Sequence, residues 1–144
     1  MRYVLMTTLS LLLALVSACG QREQSPVTSD AALQKRLSGT WISEMEIKGE
    51  GHRRCVHVYR ADGSYAGEAT TVGSNKTSRV SEAGTFLVRD GVLIVTNTKL
   101  NGTNAPVPRV DRDRIVRVDD RELVVRSEDR PDVGPVTCRK QVSP

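Results

Sequence analysis

The sequence predicts an all-β protein, an antiparallel up-and-down barrel of eight strands preceded by one short helix. Three observations predict it. From Thr40 onward apolar and polar residues alternate with period two. Turn signals recur about every ten residues. The alternating runs number eight, and a meander that long removes its exposed edges best by closing on itself. Composition agrees: 144 residues with 38% hydrophobic and 26% charged side chains suit one globular domain. The net charge of +4, from 21 basic and 17 acidic residues, is too mild to argue for nucleic acid as a partner.

The first element is an address. Arg2 precedes an apolar run from Tyr3 to Val16, and small Ser17 and Ala18 close it. That is the layout of a secretory signal, and the run is short of the roughly 20 apolar residues a transmembrane helix needs. Val16-Ser17-Ala18-Cys19 resembles the lipobox of bacterial lipoproteins. The resemblance implies that residues 1–18 are a signal peptide cleaved before Cys19. It also implies a thioether-linked diacylglycerol on that sulfur and a further acyl chain, such as palmitate, on the new amine. Each buried methylene adds about 0.8 kcal/mol of membrane affinity, so several chains anchor firmly. Gly20 rather than Asp follows, which in Gram-negative lipoproteins implies the outer membrane, with the protein facing the periplasm.

Residues 19–30 then read as a lipidated tether, and residues 31–144 as the barrel domain. Within the tether 20–28 is polar and without period, reaching at most about 30 Å from the lipid surface. Ser29 or Asp30 caps the short helix, Leu33 and Leu37 share its apolar face, and Gly39 ends it.

The strands fall near 40–48, 53–60, 64–72, 76–89 with a bend at Gly84, 92–99, 112–118, 122–128 and 135–141. Asp62-Gly63 and Asp90-Gly91 favour tight hairpins, because both residues tolerate positive φ. The stretch from Asn101 to Pro108, with its Gly and two Pro, reads as an open loop. Val56 and Val58 share one face of their strand, and Cys55, His57 and Tyr59 the other. The runs Val92-Leu93-Ile94-Val95 and Leu123-Val124-Val125 predict strands covered on both sides.

Three motifs carry a family resemblance: Leu37-Ser38-Gly39-Thr40-Trp41, Arg60-Ala61-Asp62-Gly63-Ser64-Tyr65, and Gly84-Thr85-Phe86 with Asp90-Gly91-Val92-Leu93. In this order they resemble the lipocalin-like (calycin-like) β-barrel domains of bacterial outer-membrane lipoproteins. The resemblance implies a first-strand Trp at the closed end of the barrel, under an Arg of the last strand. Trp41 and Arg139 are the candidates for that pair, a contact worth about 0.5–2 kcal/mol.

With Cys19 acylated, Cys55 and Cys138 remain, and in an oxidising compartment the expectation is a disulfide between them, with free buried thiols as the alternative. His52, Cys55 and His57 form a His/Cys cluster, but in a strand His52 points away from the other two, so no metal site is expected; the histidines read as solvent-facing. Between residues 109 and 130, seven Arg face seven Asp or Glu. This pattern predicts cross-strand pairs on a wet outer face, with Asp111 and Asp113 among them. No nucleophile elbow, phosphate loop, zinc signature or dinucleotide fingerprint is present, so neither an enzyme nor a cofactor is predicted. The functional expectation is an envelope binding or scaffolding barrel, attached to the membrane by its lipid and holding a small apolar ligand or an envelope protein. The alternative is a periplasmic protease-inhibitor-like or protein-interaction module, which would insert segment 20–30 or 101–108 into its target.

Overall fold

The structure, a computed structural model, describes residues 29–142. The expected signal peptide, the expected lipidation at Cys19 and the expected tether through residue 28 lie outside the described residues. Helix α1 (Asp30–Leu37) is followed by eight strands: β1 (Gly39–Ile47), β2 (Gly51–Tyr59), β3 (Ser64–Val72), β4 (Thr77–Arg89), β5 (Val92–Leu100), β6 (Thr103–Val118), β7 (Glu122–Ser127) and β8 (Val136–Lys140). Each strand pairs antiparallel with the next, and β8 pairs with β1, closing the predicted barrel.

The turns form where the sequence supplies the backbone freedom for them. Asp90 and Asn101 adopt positive φ (53° and 49°), each followed by a glycine with φ of 71° or 79°, which is the pattern of a two-residue hairpin turn. Gly84 sits where the β4–β5 register shifts. A Cβ there would collide with the Thr96 carbonyl, so the predicted bend needs glycine.

One end is closed. Ser29 caps α1, its hydroxyl accepting the Ala32 amide at 3.3 Å. The Asp30 carboxylate accepts the amides of Asp90 and Gly91 at 2.8 and 3.0 Å, which pins the start of the helix to the β4–β5 turn. Leu33 and Leu37 then turn onto the core, a cluster that includes Trp41, Phe86, Leu93, Val118 and Leu123. Trp41 is fully buried, and its indole N–H donates to the Leu37 carbonyl at 2.7 Å.

Four expectations are corrected here. The cation over Trp41 is Lys140, 5.0 Å from the ring centre, and not Arg139. In the β1–β8 register Lys140 is opposite Trp41, and Arg139 is opposite Ile42, so one residue of offset turns Arg139 outward. The open loop over 101–108 is instead the Asn101-Gly102 turn and the first part of β6. Lys99 pairs with Asn104 and Asn97 with Arg109, so the four residues 105–108 bulge from the ladder opposite Thr98 alone. Pro106 and Pro108 have no N–H to give it. The Cys55–Cys138 disulfide is absent, and both are free thiols. Ser43 is opposite Cys55, and the β1–β8 register carries Cys138 to its other side. The cysteines therefore stand two strand spacings apart, about 9–10 Å, whereas a disulfide joins Cα atoms roughly 4.4–6.8 Å apart. Finally, the second cover is partial: on the outward face Val92 is buried, but Ile94 and Val124 are only half-buried, with the long side chain of Arg112 the register neighbour of Ile94 and able to shield its apolar surface.

Candidate functional site

Away from α1 the barrel is hollow. The turns at 48–50, 73–76 and 101–102 and the connection 128–135 ring this end, and a cavity of about 620 Å³ opens among the inward side chains beneath them. A larger recess of about 740 Å³ lies beside it, but turn residues such as Lys48, Gly49, Ser74 and Asn75 wall it, so it belongs to the rim.

Strand parity decides what enters the cavity. On β2 the face that ends in buried Tyr59 also carries Cys55 and His57. On β6 Asp111 and Asp113 share the parity of Ile115, which packs on the core, so both carboxylates point inward. The wet-face expectation fails for these two aspartates and for His57. It holds for three of the arginines: Arg112 and Arg114 pair with Glu128 at 3.7 and 2.7 Å on the outside, and Arg117 pairs with Glu122.

Aromatic rings form the cavity floor. Tyr59 and Tyr65 lie 5.3 Å apart, centre to centre, and Phe86 meets Tyr59 edge-on at 4.9 Å. His57 stacks 6.1 Å from Tyr65 and shares a hydrogen bond of 2.9 Å with its hydroxyl. Gly67 makes room for that phenol, since a Cβ at this position would collide with it. Burial lowers the His57 pKa, keeping the imidazole neutral. Burial also raises both tyrosines, assisted at Tyr65 by the charges of Glu82 and Asp111.

Above the floor stands a network of carboxylates. Arg109 donates to Asp111 at 2.8 Å and pairs with Glu82 at 2.9 Å. Buried Asn97 donates to the same two groups at 3.1 and 3.2 Å. Glu82 and Asp111 are thus held from two sides. Asp113 differs: it makes no ion pair among the described residues. Burial, then the charge of Asp111, push its pKa up, while Arg130 and Ser127 offset part of that rise.

Cys55, Ser43 and Cys138 line up across three strands. Burial raises the Cys55 thiol and pushes Cys138 up to about 11. Ser43 offsets part of the rise at both, although its hydroxyl is buried without a hydrogen-bond partner among the described residues. Both sulfurs stay protonated near neutral pH, unsuited to nucleophilic attack. Among the described residues no three His, Cys, Asp or Glu side chains converge as a metal site requires.

Cys55, Trp41 and Cys138, named from the sequence, do face the interior, but the carboxylates and tyrosines of the cavity were not recognised as a site. A signal for them was present: Asp111 and Asp113 share a strand face with Ile115, and His57 shares one with Tyr59. The chain matches no protein-family model and no curated protein.

Proposed function

We propose that the protein is a lipid-anchored envelope barrel of lipocalin-like type, facing the periplasm from the outer membrane, that binds a small molecule without transforming it. The observation that carries this reading is the cavity of about 620 Å³ inside the open half of the barrel, within the range of small-ligand sites. Its aromatic floor offers apolar contact to a ligand, and its upper wall offers hydrogen-bonding groups that would orient one. A neutral imidazole and two protonated thiols, without an activated nucleophile beside them, support binding over catalysis.

Native mass spectrometry of the protein purified from envelope membranes tests the reading. The expected result is a non-covalent adduct that Ala69→Trp, which fills the cavity, abolishes, together with a diacylated Cys19 at the amino terminus. An adduct-free protein, or an adduct indifferent to Ala69→Trp, contradicts the binding role; an unmodified Cys19 contradicts the anchor.

The interaction-module reading keeps one supporting observation. Val107 is 77% exposed at the tip of the Pro106-Val107-Pro108 bulge, a stiff apolar projection suited to a partner's pocket. Crosslinking from position 107 in intact cells would capture a stoichiometric partner under that reading and none under the first.

A further inference from the structure

We propose that the ligand is a small organic cation whose ammonium group sits against Asp113 and the Tyr59 hydroxyl. The inference rests on the binding-barrel reading and names the class of ligand.

The charge inside the cavity is unevenly matched. Arg109 and Asn97 hold Glu82 and Asp111, and Arg53 is drawn to Glu50 at 3.2 Å and to Thr71 at 2.9 Å. Asp113 and Asp129 remain without an ion pair among the described residues, against Arg130 at the rim. A partly buried carboxylate beside another one is costly until a positive group neutralises it. A bound ammonium supplies that group. Among the described residues of the cavity, Arg130 is the one cation outside an ion pair, and it lies near the mouth, where it already faces Asp113 and water screens it.

Tyr59 provides the second, independent observation. It is 6% exposed and lines the cavity, where no protein group is hydrogen-bonded to its hydroxyl among the described residues. A phenol oxygen open to the cavity can accept an N–H of a ligand. The faces of Tyr59, Tyr65 and His57 add a floor that attracts cations through their ring quadrupoles. An inorganic cation fits less well, since no three ligating side chains converge among the described residues.

The test is calorimetric titration of the purified full chain with diaminobutane, butanediol and succinate, probes of equal carbon length that are cationic, neutral and anionic. Saturable binding of the diamine alone is expected, weakened about tenfold or more by Asp113→Asn and several-fold by Tyr59→Phe, with circular dichroism confirming that both variants are folded. Equal affinity for the diol or succinate, unchanged diamine affinity in Asp113→Asn, or displacement of the diamine by millimolar magnesium or calcium overturns the proposal. If no probe binds but the native adduct is present, the cation class falls and the binding barrel stands. If the adduct is missing as well, both fall.

Discussion

Lys140 holds its ammonium group 5.0 Å from the centre of the Trp41 ring, while the indole N–H of the same ring is tied to the Leu37 carbonyl. A residue of the last strand, one of the first strand and the end of the helix thereby meet where the barrel closes. Lys140→Met is expected to cost about 0.5–2 kcal/mol, and Arg139→Met, on the outer face, less than about 0.5 kcal/mol. Urea unfolding followed by Trp41 fluorescence measures both, Trp41 being the only tryptophan in the chain. Equal losses would mean that position 139 also faces inward.

The thiols give a second prediction. With β1 between Cys55 and Cys138, oxidised and reduced samples should migrate alike, and denatured protein in which Cys19 carries the proposed acyl chains should show two titratable thiols. In native protein Cys138, pushed up to about 11 by burial, should resist alkylation near pH 8. A crosslink between residues 55 and 138 in peptide mapping would require β1 to leave its place between them.

Acid should loosen the cavity floor. Burial lowers the pKa of folded His57 below its ordinary 6.5, so the unfolded chain binds the proton more readily. Its contribution to stability is therefore complete above about 6.5 and is lost as pH falls through the depressed folded value. Asp113 acts in the opposite direction. Its pKa is raised above 3.8, so stability falls as pH rises from there through the folded value. Asp113→Asn should accordingly raise the unfolding temperature at pH 7, and His57→Gln should flatten the decline in urea midpoint between pH 7 and 5. A midpoint that does not change over that interval in the Asp113→Asn background, where the opposing carboxyl is gone, counts against a buried neutral imidazole.

Gly84→Ala should destabilise by about 1–3 kcal/mol or more, because the Thr96 carbonyl that the new methyl would meet is backbone and cannot rotate away. Gly91→Ala meets no neighbouring atom and should cost only the strain of its positive φ, about 1 kcal/mol. Thermal unfolding of the two variants ranks them; the reverse order would place the β4 bend elsewhere.

These positions also show what could be read from the sequence. Asp-Gly turns and period-two alternation are local, so the strands from β1 to β5, the bend at Gly84 and a helix cap at Ser29 or Asp30 were legible. The first part of β6 was not, because Pro106 and Pro108 read as a loop, whereas here they sit in a bulge whose flanks, Asn104 and Arg109, still pair with β5. Register between β1 and β8 joins residues about a hundred positions apart, and no local signal separates Lys140 from Arg139. The cavity was hidden for another reason. A barrel interior that carries charge has the same polar alternation as a wet surface, and the arginines flanking Asp111 and Asp113 made the inward face look like the outward one.

The most direct measurement is a two-dimensional NMR titration with diaminobutane that follows backbone amides along β2 and β6. Binding inside the barrel predicts shifts that alternate with strand parity, large at Cys55, His57, Asp111 and Asp113 and small at Val56, Val58, Arg112 and Arg114. Shifts of the reverse parity, or confined to the rim turns at 48–50 and 73–76, would place the ligand outside the barrel and contradict a binding cavity within it.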